Sequence, residues 1–355
     1  MNKIATVEAR CLDDSVLSQL LVEVTTEDGL IGVGECWWGI PAGMDRPGDA
    51  SRSIAVALET ILAPRAVGQD ADRVEQLWHE LWDFSYRYGD QGILMMALSG
   101  LDLALWDLLG KRLGVPVAQL LGGPVHSKLP AYASLPPLRS VERVLAETDR
   151  ALTHGFHAVK LHEVDVEMVR MVRDGLGPDI EIMVDVNGHF DPVDAIAAAR
   201  ELESCDITWF EEPVRPMRDH HAIGRVNDAV DIDIAAGENE YTLQDFNRLL
   251  GTGAIRYLQP EITKIGGLTP AKRISALAEL YNVALCPHNF RLGPSLNASI
   301  HWGLSCPVGR WIEIPWLPQD RHFPTGVPVP ELKDGKVALP EGAGFGETVK
   351  DGQTD

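Results

Sequence analysis

Residues 157–162 read HAVKLH, residues 181–187 EIMVDVN and residues 207–213 ITWFEEP. Each is a short apolar run that ends on polar or charged side chains, and a stretch of helical periodicity follows it before the next run begins. The unit recurs on both sides. LPAYASL precedes these three, and IDIAAGE, IRYLQP, VALCPH and WIEI follow them, so the run ends fall near residues 135, 162, 187, 213, 238, 260, 288 and 314. Successive ends lie 22 to 28 residues apart, the length of one strand plus one crossover helix. Eight such units predict a parallel β/α barrel over 126–320. An open doubly wound sheet would carry a glycine-rich phosphate turn after its first strand. GVGECW (32–37) starts like one, but it lacks the third glycine and leads into no helix.

A chain of 355 residues has room for a second domain. LLVEVTTEDGLIGVGE (20–35) predicts two antiparallel strands joined at Glu27-Asp28-Gly29. Trp37 to Met44 is apolar but rich in glycine and proline, which predicts a mobile loop. Three helical patterns follow between about 50 and 121, and the last stops at Leu120-Leu121-Gly122-Gly123-Pro124. Residues 1–125 therefore form an α+β domain. From about 317 the chain is rich in Pro and Gly, with a hairpin expected at Lys333-Asp334-Gly335-Lys336, and 321–355 is expected to return to the N-terminal domain.

Composition narrows the partners. Charged residues make up 23% and the hydrophobic set 45%, as in an ordinary globular protein. The formal charge of −21 repels phosphate backbones and anionic lipid, which argues against nucleic acid and membrane surfaces. A small anionic substrate would need a local cation. The five cysteines, Cys11, Cys36, Cys205, Cys286 and Cys306, are an odd count without a CxxC pair and read as reduced thiols. The N-terminus has no apolar run of the secretory kind, so the expected location is the cytoplasm. The longest apolar stretch, Gly92 to Gly110, carries Ser99, Asp102 and Asp107, which predicts a buried soluble helix and not a membrane span.

In a barrel of this kind the C-terminal ends of the strands converge on one mouth. Asp185, Glu211 and Glu238 end the third, fourth and fifth runs. Taken singly, each reads as a surface carboxylate. Three in register repel one another unless a cation neutralises them, and an all-oxygen site suits Mg²⁺. Lys160 and His162, at i and i+2, share one side of the second strand. His288 ends the seventh run beside Glu261 from the sixth, so the carboxylate can set the imidazole's tautomer and basicity. Glu313 ends the eighth. A lone strand-end histidine is more often structural. Here, bases on opposite sides of the barrel flank a metal cluster.

The sequence resembles the enolase superfamily, in its mandelate racemase-like subgroup, over nearly its whole length. The resemblance rests on ALSGLDLALWDLLGKRLGVPVAQLLGG (97–123), AVKLH (158–162), MVDVN (183–187), WFEEP (209–213), GEN (237–239), KIGG (264–267) and CPH (286–288). It implies a (β/α)7β modified TIM barrel with an α+β capping domain made from both termini. It further implies Asp185, Glu211 and Glu238 as Mg²⁺ ligands, and a 37–50 loop that closes over substrate. The chemistry it implies is removal of a proton α to a carboxylate, with a Lys or His base and Mg²⁺ beside the ene-diolate. Lys160 matches the lysine that holds the substrate carboxylate, and Glu313 the acid that hydrogen-bonds the enediolate oxygen. A donating Glu313 would need a raised pKa.

Two positions depart from the subgroup pattern. His162 stands where a second lysine is frequent, and Glu261 where Asp usually partners the histidine. Lysine at 261 would have indicated the muconate lactonizing branch. Among weaker candidates, Asn187 and His189 lie beside the mouth, and Trp37, Trp38, Ile40 and Met44 form a candidate substrate wall. His220-His221 reads as a solvated helix start and Glu212 as a structural ion-pair partner.

The leading function is a dehydratase of a sugar-derived acid, in which a base removes the C2 proton and an acid assists loss of the C3 hydroxide. A 2-hydroxy-acid racemase or epimerase using His162 and His288 on opposite faces is the alternative. A barrel that keeps metal but has lost turnover is the reading from another class. Lys160 is expected to act electrostatically, the partner to be a small carboxylate, and the chain to form a homo-oligomer.

Overall fold

The computed structural model describes residues 2–12, 18–37, 50–319 and 321–346. The N-terminal part opens with an antiparallel sheet of β1 (Ile4–Leu12), β2 (Gln19–Thr26) and β3 (Ile31–Cys36), in that order. The β2–β3 connection turns at Glu27-Asp28-Gly29, where Gly29 adopts φ +86° and donates its N–H to the Thr26 carbonyl at 2.8 Å. Helices follow at Ser51–Ala57, Val74–Ser85 and Ile93–Leu113. Ile93–Leu113 lies directly on the sheet. A Cβ added at Gly32 or Gly34 would come within 2.1 Å of the Ala104 or Gly100 carbonyl oxygen, so those two glycines permit the contact. The apolar stretch is thus a core helix, 89% buried in its most apolar window. The five cysteines are free thiols.

The barrel consists of β4 (Lys128–Ser134), β5 (Ala158–Leu161), β6 (Glu181–Asp185), β7 (Trp209–Glu211), β8 (Ile234–Ala236), β9 (Tyr257–Leu258), β10 (Ala284–Leu285) and β11 (Ile312–Pro315), all parallel to their neighbours. Seven helices connect these eight strands, from Val141–His154 to Pro294–Ser305. The ring closes where Leu285 N–H meets the Val308 carbonyl at 2.8 Å and Arg310 N–H the Leu285 carbonyl at 2.9 Å. Side-chain caps start several crossovers: Ser140, Asp165, Asp191, Asp219 and Thr242 each accept from an N–H of the first turn, a contribution of about 1 kcal/mol apiece.

The C-terminal segment goes to two places. Thr325 N–H meets Gln19 of β2 and Phe345 N–H meets Asp107 of the Ile93–Leu113 helix, 3.0 and 2.9 Å respectively. Between them β12 (Lys336–Ala338), entered through a hairpin at Lys333–Lys336, pairs antiparallel with the start of β4. The strand pattern predicts no such pairing, because three residues carry no readable alternation.

Strand alternation stacks the barrel interior in layers. Tyr132, Ala158, Met183, Trp209, Cys286 and Trp311 form a buried apolar plug. Two residues further along the same chain stretches stand Ser134, Lys160, Asp185, Glu211, His288 and Glu313. An i, i+2 step keeps a side chain on the same face one layer higher, so the apolar layer is a floor and the polar layer lies upon it.

Candidate metal centre and catalytic site

Asp185, Glu211 and Glu238 each present a carboxylate oxygen within 4.8 Å of the others, and all three side chains are buried. Their surroundings hold them in place. Glu211 Oε2 accepts from Gln259 Nε2 at 2.7 Å and from Trp209 Nε1, in the floor, at 2.9 Å. Asp185 accepts from the Asn187 backbone at 2.8 Å and side chain at 3.1 Å. Glu238 Oε1 accepts from Asn239 Nδ2 at 3.0 Å and faces Lys264 Nζ at 3.5 Å. Three hard oxygen donors at this spacing, oriented by a second layer of hydrogen bonds, fit a hexacoordinate divalent cation such as Mg²⁺.

Lys160 is wholly buried and joins the carboxylates across the barrel. Its Nζ lies 2.9 Å from Glu211 Oε1, 2.9 Å from Glu313 Oε1 and 3.5 Å from Asp185 Oδ2. Burial alone would favour the neutral amine, but Glu211 and Glu313 outweigh it and hold the ammonium well above its usual range. The same contact works in reverse on Glu313. Burial raises its pKa, yet Lys160 and His288 bring it below the usual carboxylate value. Glu313 is therefore ionised, accepting from Asn289 N–H at 3.1 Å, where a donating acid would need a raised pKa. Glu211 has the opposite balance: burial and then Asp185 push it up to about 7.

The two histidines stand just beyond β5 and β10. His288 Nδ1 is 2.7 Å from Glu261 Oε2 and its Nε2 2.8 Å from Glu238 Oε2. Glu261 is anchored in turn, because its Oε1 accepts from Thr263 N–H at 2.9 Å and Thr263 Oγ1 at 2.7 Å. His162 Nδ1 lies 2.5 Å from the Leu135 carbonyl and its Nε2 3.2 Å from Asp185 Oδ2. Each nitrogen faces a carboxylate or carbonyl oxygen, an arrangement that favours the imidazolium form of both rings. Burial opposes the charge in each. Glu238 and Glu313 override it at His288, and the bond to Asp185 overrides it at His162, whose pKa is raised although nearby positive charge would predict a lowered one. Asp185 is correspondingly held down by Lys160 and His162 against the effect of burial.

The weaker candidates separate. Trp37 is half-buried with its ring edge-on to His288, centroids 5.7 Å apart, and Lys264 Nζ and Arg291 Cζ lie 4.2 and 4.7 Å from its centroid. Trp38, Ile40 and Met44 fall outside the described residues. Asn187 is exposed and spends both donors on Asp185. His189 is exposed against Phe190, 4.8 Å between centroids, and contacts none of the clustered groups. His220 is not merely solvated, since its Nε2 is 2.7 Å from Glu240 Oε1. Among the described residues, Glu212 has no cationic partner in contact. It is buried with φ +43°, accepts from Asn239 Nδ2 at 2.8 Å, and burial followed by Glu238 pushes its pKa well above the usual carboxylate range.

Residue patterning gave no role to Gln259, Asn239 or Lys264, which support the carboxylates. The signal was their place in the loops that follow the strands, inside IRYLQP, GEN and KIGG. The Leu135 carbonyl that fixes His162 has no sequence signal at all.

The N-terminal domain model of mandelate racemase / muconate lactonizing enzyme matches residues 14–122, and the enolase C-terminal domain-like model matches 143–353. The D-galactarolactone cycloisomerase of Agrobacterium fabrum is 32% identical, covering 95% of this chain and 91% of that protein. The arabinonate dehydratase of Saccharolobus solfataricus is 29% identical, covering 93% and 88%. Among solved structures, a racemase from Streptomyces coelicolor A3(2) with bound magnesium superposes with a TM-score of 0.84 at 28% identity, covering 98% of each chain. Matched over 14–122 and 143–353 by the two domain models, with the barrel and cap in place, this chain is an enzyme of the enolase superfamily, in the mandelate racemase-like subgroup.

Proposed function

We propose that this enzyme is a Mg²⁺-dependent acid-sugar dehydratase, which removes the proton α to the carboxylate of a sugar-derived acid and eliminates the 3-hydroxyl to a 2-keto-3-deoxy acid. The observation that carries the reading is the pair of imidazoles whose Nε2 atoms reach the carboxylate cluster from different strands, 2.8 Å from Glu238 and 3.2 Å from Asp185. Asp185, Glu211 and Glu238 would hold the ion. When bound, Mg²⁺ supplies positive charge beside the substrate carboxylate, where removal of an α-proton builds a second negative charge.

With Glu238 and Asp185 holding the ion, the Nε2 atoms of His288 and His162 would lose those carboxylates as partners, and His288 would give up its Nε2 proton to solvent. His288, its Nδ1 proton retained by Glu261, then offers Nε2 as the base that takes the α-proton. His162 keeps Nδ1 on a neutral carbonyl, a weaker support for added charge than a carboxylate, and donates from Nε2 to the departing hydroxide. Lys160 contributes a fixed positive charge beside the reacting carboxylate. Trp37 walls the His288 side. Elimination balances: His288 gains the C2 proton, the C–O bond at C3 breaks, His162 delivers a proton to make water, and the enol product tautomerises to the 2-keto acid.

The opposed imidazoles also favour a second reading, epimerisation at C2, in which His162 returns a proton on the face opposite His288. Incubation of an acid-sugar library with Mg²⁺ in D₂O separates the two. A 2-keto acid product supports dehydration, and deuterium at C2 of inverted acid without keto product supports epimerisation. Ring opening or closure without loss of water would indicate cycloisomerisation instead. Absence of both exchange and product across the library would reject the proposal in favour of a binding barrel.

A further inference from the structure

The turn that leaves β4 is tied to the end of β5 through one buried carboxylate that the proposed chemistry does not use. Glu163, the residue after His162, is 2% exposed although it stands in a loop at the barrel mouth. Its Oε1 accepts from the N–H groups of Leu138 and Arg139 at 2.7 and 3.0 Å, and its Oε2 pairs with Arg139 Nη1 at 3.1 Å. The same guanidinium nitrogen donates to the His162 carbonyl at 3.2 Å. Arg139 holds φ +56°, a region in which a residue other than glycine persists only where its surroundings fix it.

What this clamp fixes is the Leu135 carbonyl. The segment reads Leu135-Pro136-Pro137-Leu138-Arg139. Proline has no N–H, so the backbone donors of the segment are those of Leu135, Leu138 and Arg139. Leu135 N–H continues the strand pairing, to the Lys160 carbonyl at 3.0 Å. The other two both go to Glu163, which is therefore the anchor on the far side of the prolines. A residue before proline is confined to extended backbone, and with an anchor on either side the Leu135 carbonyl points at His162 Nδ1, 2.5 Å away. That contact holds the Nδ1 proton and leaves Nε2 aimed at the carboxylate cluster, 3.2 Å from Asp185. We infer that Glu163 is a positioning residue for His162: by tying down residues 138 and 139 it keeps the Leu135 carbonyl on Nδ1 and so aims Nε2 at the reacting centre. The inference rests on the proposed role of His162 as the acid that assists loss of hydroxide.

Glu163→Ala, Glu163→Gln and Arg139→Gly test this in D₂O with Mg²⁺ and whichever acid of the library turns over fastest, with thermal melts to report folding. Glu163→Ala frees both N–H groups. The ratio of 2-keto acid formed to deuterium gained at C2 should then fall about tenfold or more, while exchange through His288 stays within about twofold, because one catalytic group is displaced and the other is not. Glu163→Gln keeps an oxygen for the two N–H groups, and Arg139→Gly keeps both bonds and suits the positive φ, so each should retain the ratio within about threefold. Glu163→Asp, one methylene shorter, supplies the same comparison should Glu163→Ala not fold. ¹⁵N spectra of substrate-free protein, assigned with His162→Asn, should show the neutral His162 ring with its proton on Nδ1 in the wild type and shared between both nitrogens in Glu163→Ala. Exchange and elimination lowered together, a ratio lost as much in Glu163→Gln as in Glu163→Ala, or an unchanged tautomer in Glu163→Ala would overturn the inference. A library that shows no elimination would refute the dehydratase reading instead, and the ¹⁵N comparison would still decide the clamp.

Discussion

Glu261→Gln changes one atom in the support of His288, and its consequence can be worked through. Glu261 Oε1 accepts from both the N–H and the hydroxyl of Thr263, at 2.9 and 2.7 Å, so the glutamine oxygen is drawn to that position. The glutamine NH₂ then occupies the place of Oε2, 2.7 Å from His288 Nδ1. A donor there forces Nδ1 to accept and moves the neutral ring's proton onto Nε2, the atom that must be bare to take the α-proton. A carboxylate–histidine pair put in the wrong tautomer loses about 10⁴-fold in kcat. Loss of a charge-assisted hydrogen bond, about 1.5–3 kcal/mol, also lowers the His288 pKa. The acid limb of kcat/KM should therefore move to lower pH while kcat falls by about three to four orders of magnitude. Imidazole ¹⁵N shifts in metal-free protein report tautomer and pKa independently of turnover. The linkage has a definite sign: the raised pKa of His288 gives metal-free protein a stability increment complete below about pH 6.5, which is lost as pH rises through the folded value, and the variant should show a smaller one. An unchanged acid limb, rate and ¹⁵N spectrum would mean that Glu261 is only a structural residue and that the base has been misassigned.

Removing the Lys160 charge with Lys160→Met should cost metal-free protein about 3–5 kcal/mol in urea unfolding, because Glu211 and Glu313 would be left buried without their cation, and Mg²⁺ should recover part of the loss. Unchanged stability would contradict the ionised state of Glu313. Mg²⁺ affinity should rise with pH and binding should release protons, since Glu238 must exchange His288 for the ion; calorimetry in buffers of different ionisation enthalpy measures this. Asp185→Asn should keep the fold by circular dichroism and lower both Mg²⁺ affinity and kcat by at least about 100-fold, and full activity after chelation would refute the metal assignment. His288→Asn should abolish α-proton exchange in D₂O, whereas His162→Asn should retain exchange and lose elimination; full exchange in both and in the double variant would remove the histidines as bases.

Much of this protein was legible in one dimension because a barrel is a repeat. Strand-plus-helix units of near-constant length wrote the architecture into the spacing of apolar runs, and the C-terminal strand ends then marked the mouth without any knowledge of distance. Residue types at the strand ends, three carboxylates, one lysine and two histidines, pointed to metal-assisted proton transfer for the same reason. Charge states were not legible. They depend on separations between residues far apart in sequence, such as Lys160 with Glu313 and His288 with Glu238, and on burial that strengthens every such pair. Hence the low pKa of Glu313 and the raised ones of His162 and Glu212 emerged only when the strands were closed into a ring. Lys264 and the Leu135 carbonyl belong with them, the first because a lysine in a turn looks like any surface cation, the second because a backbone oxygen has no residue type. The course of the C-terminal segment was decided by tertiary structure too: β12 is three residues long, and only the open edge at the start of β4 selects them as a strand.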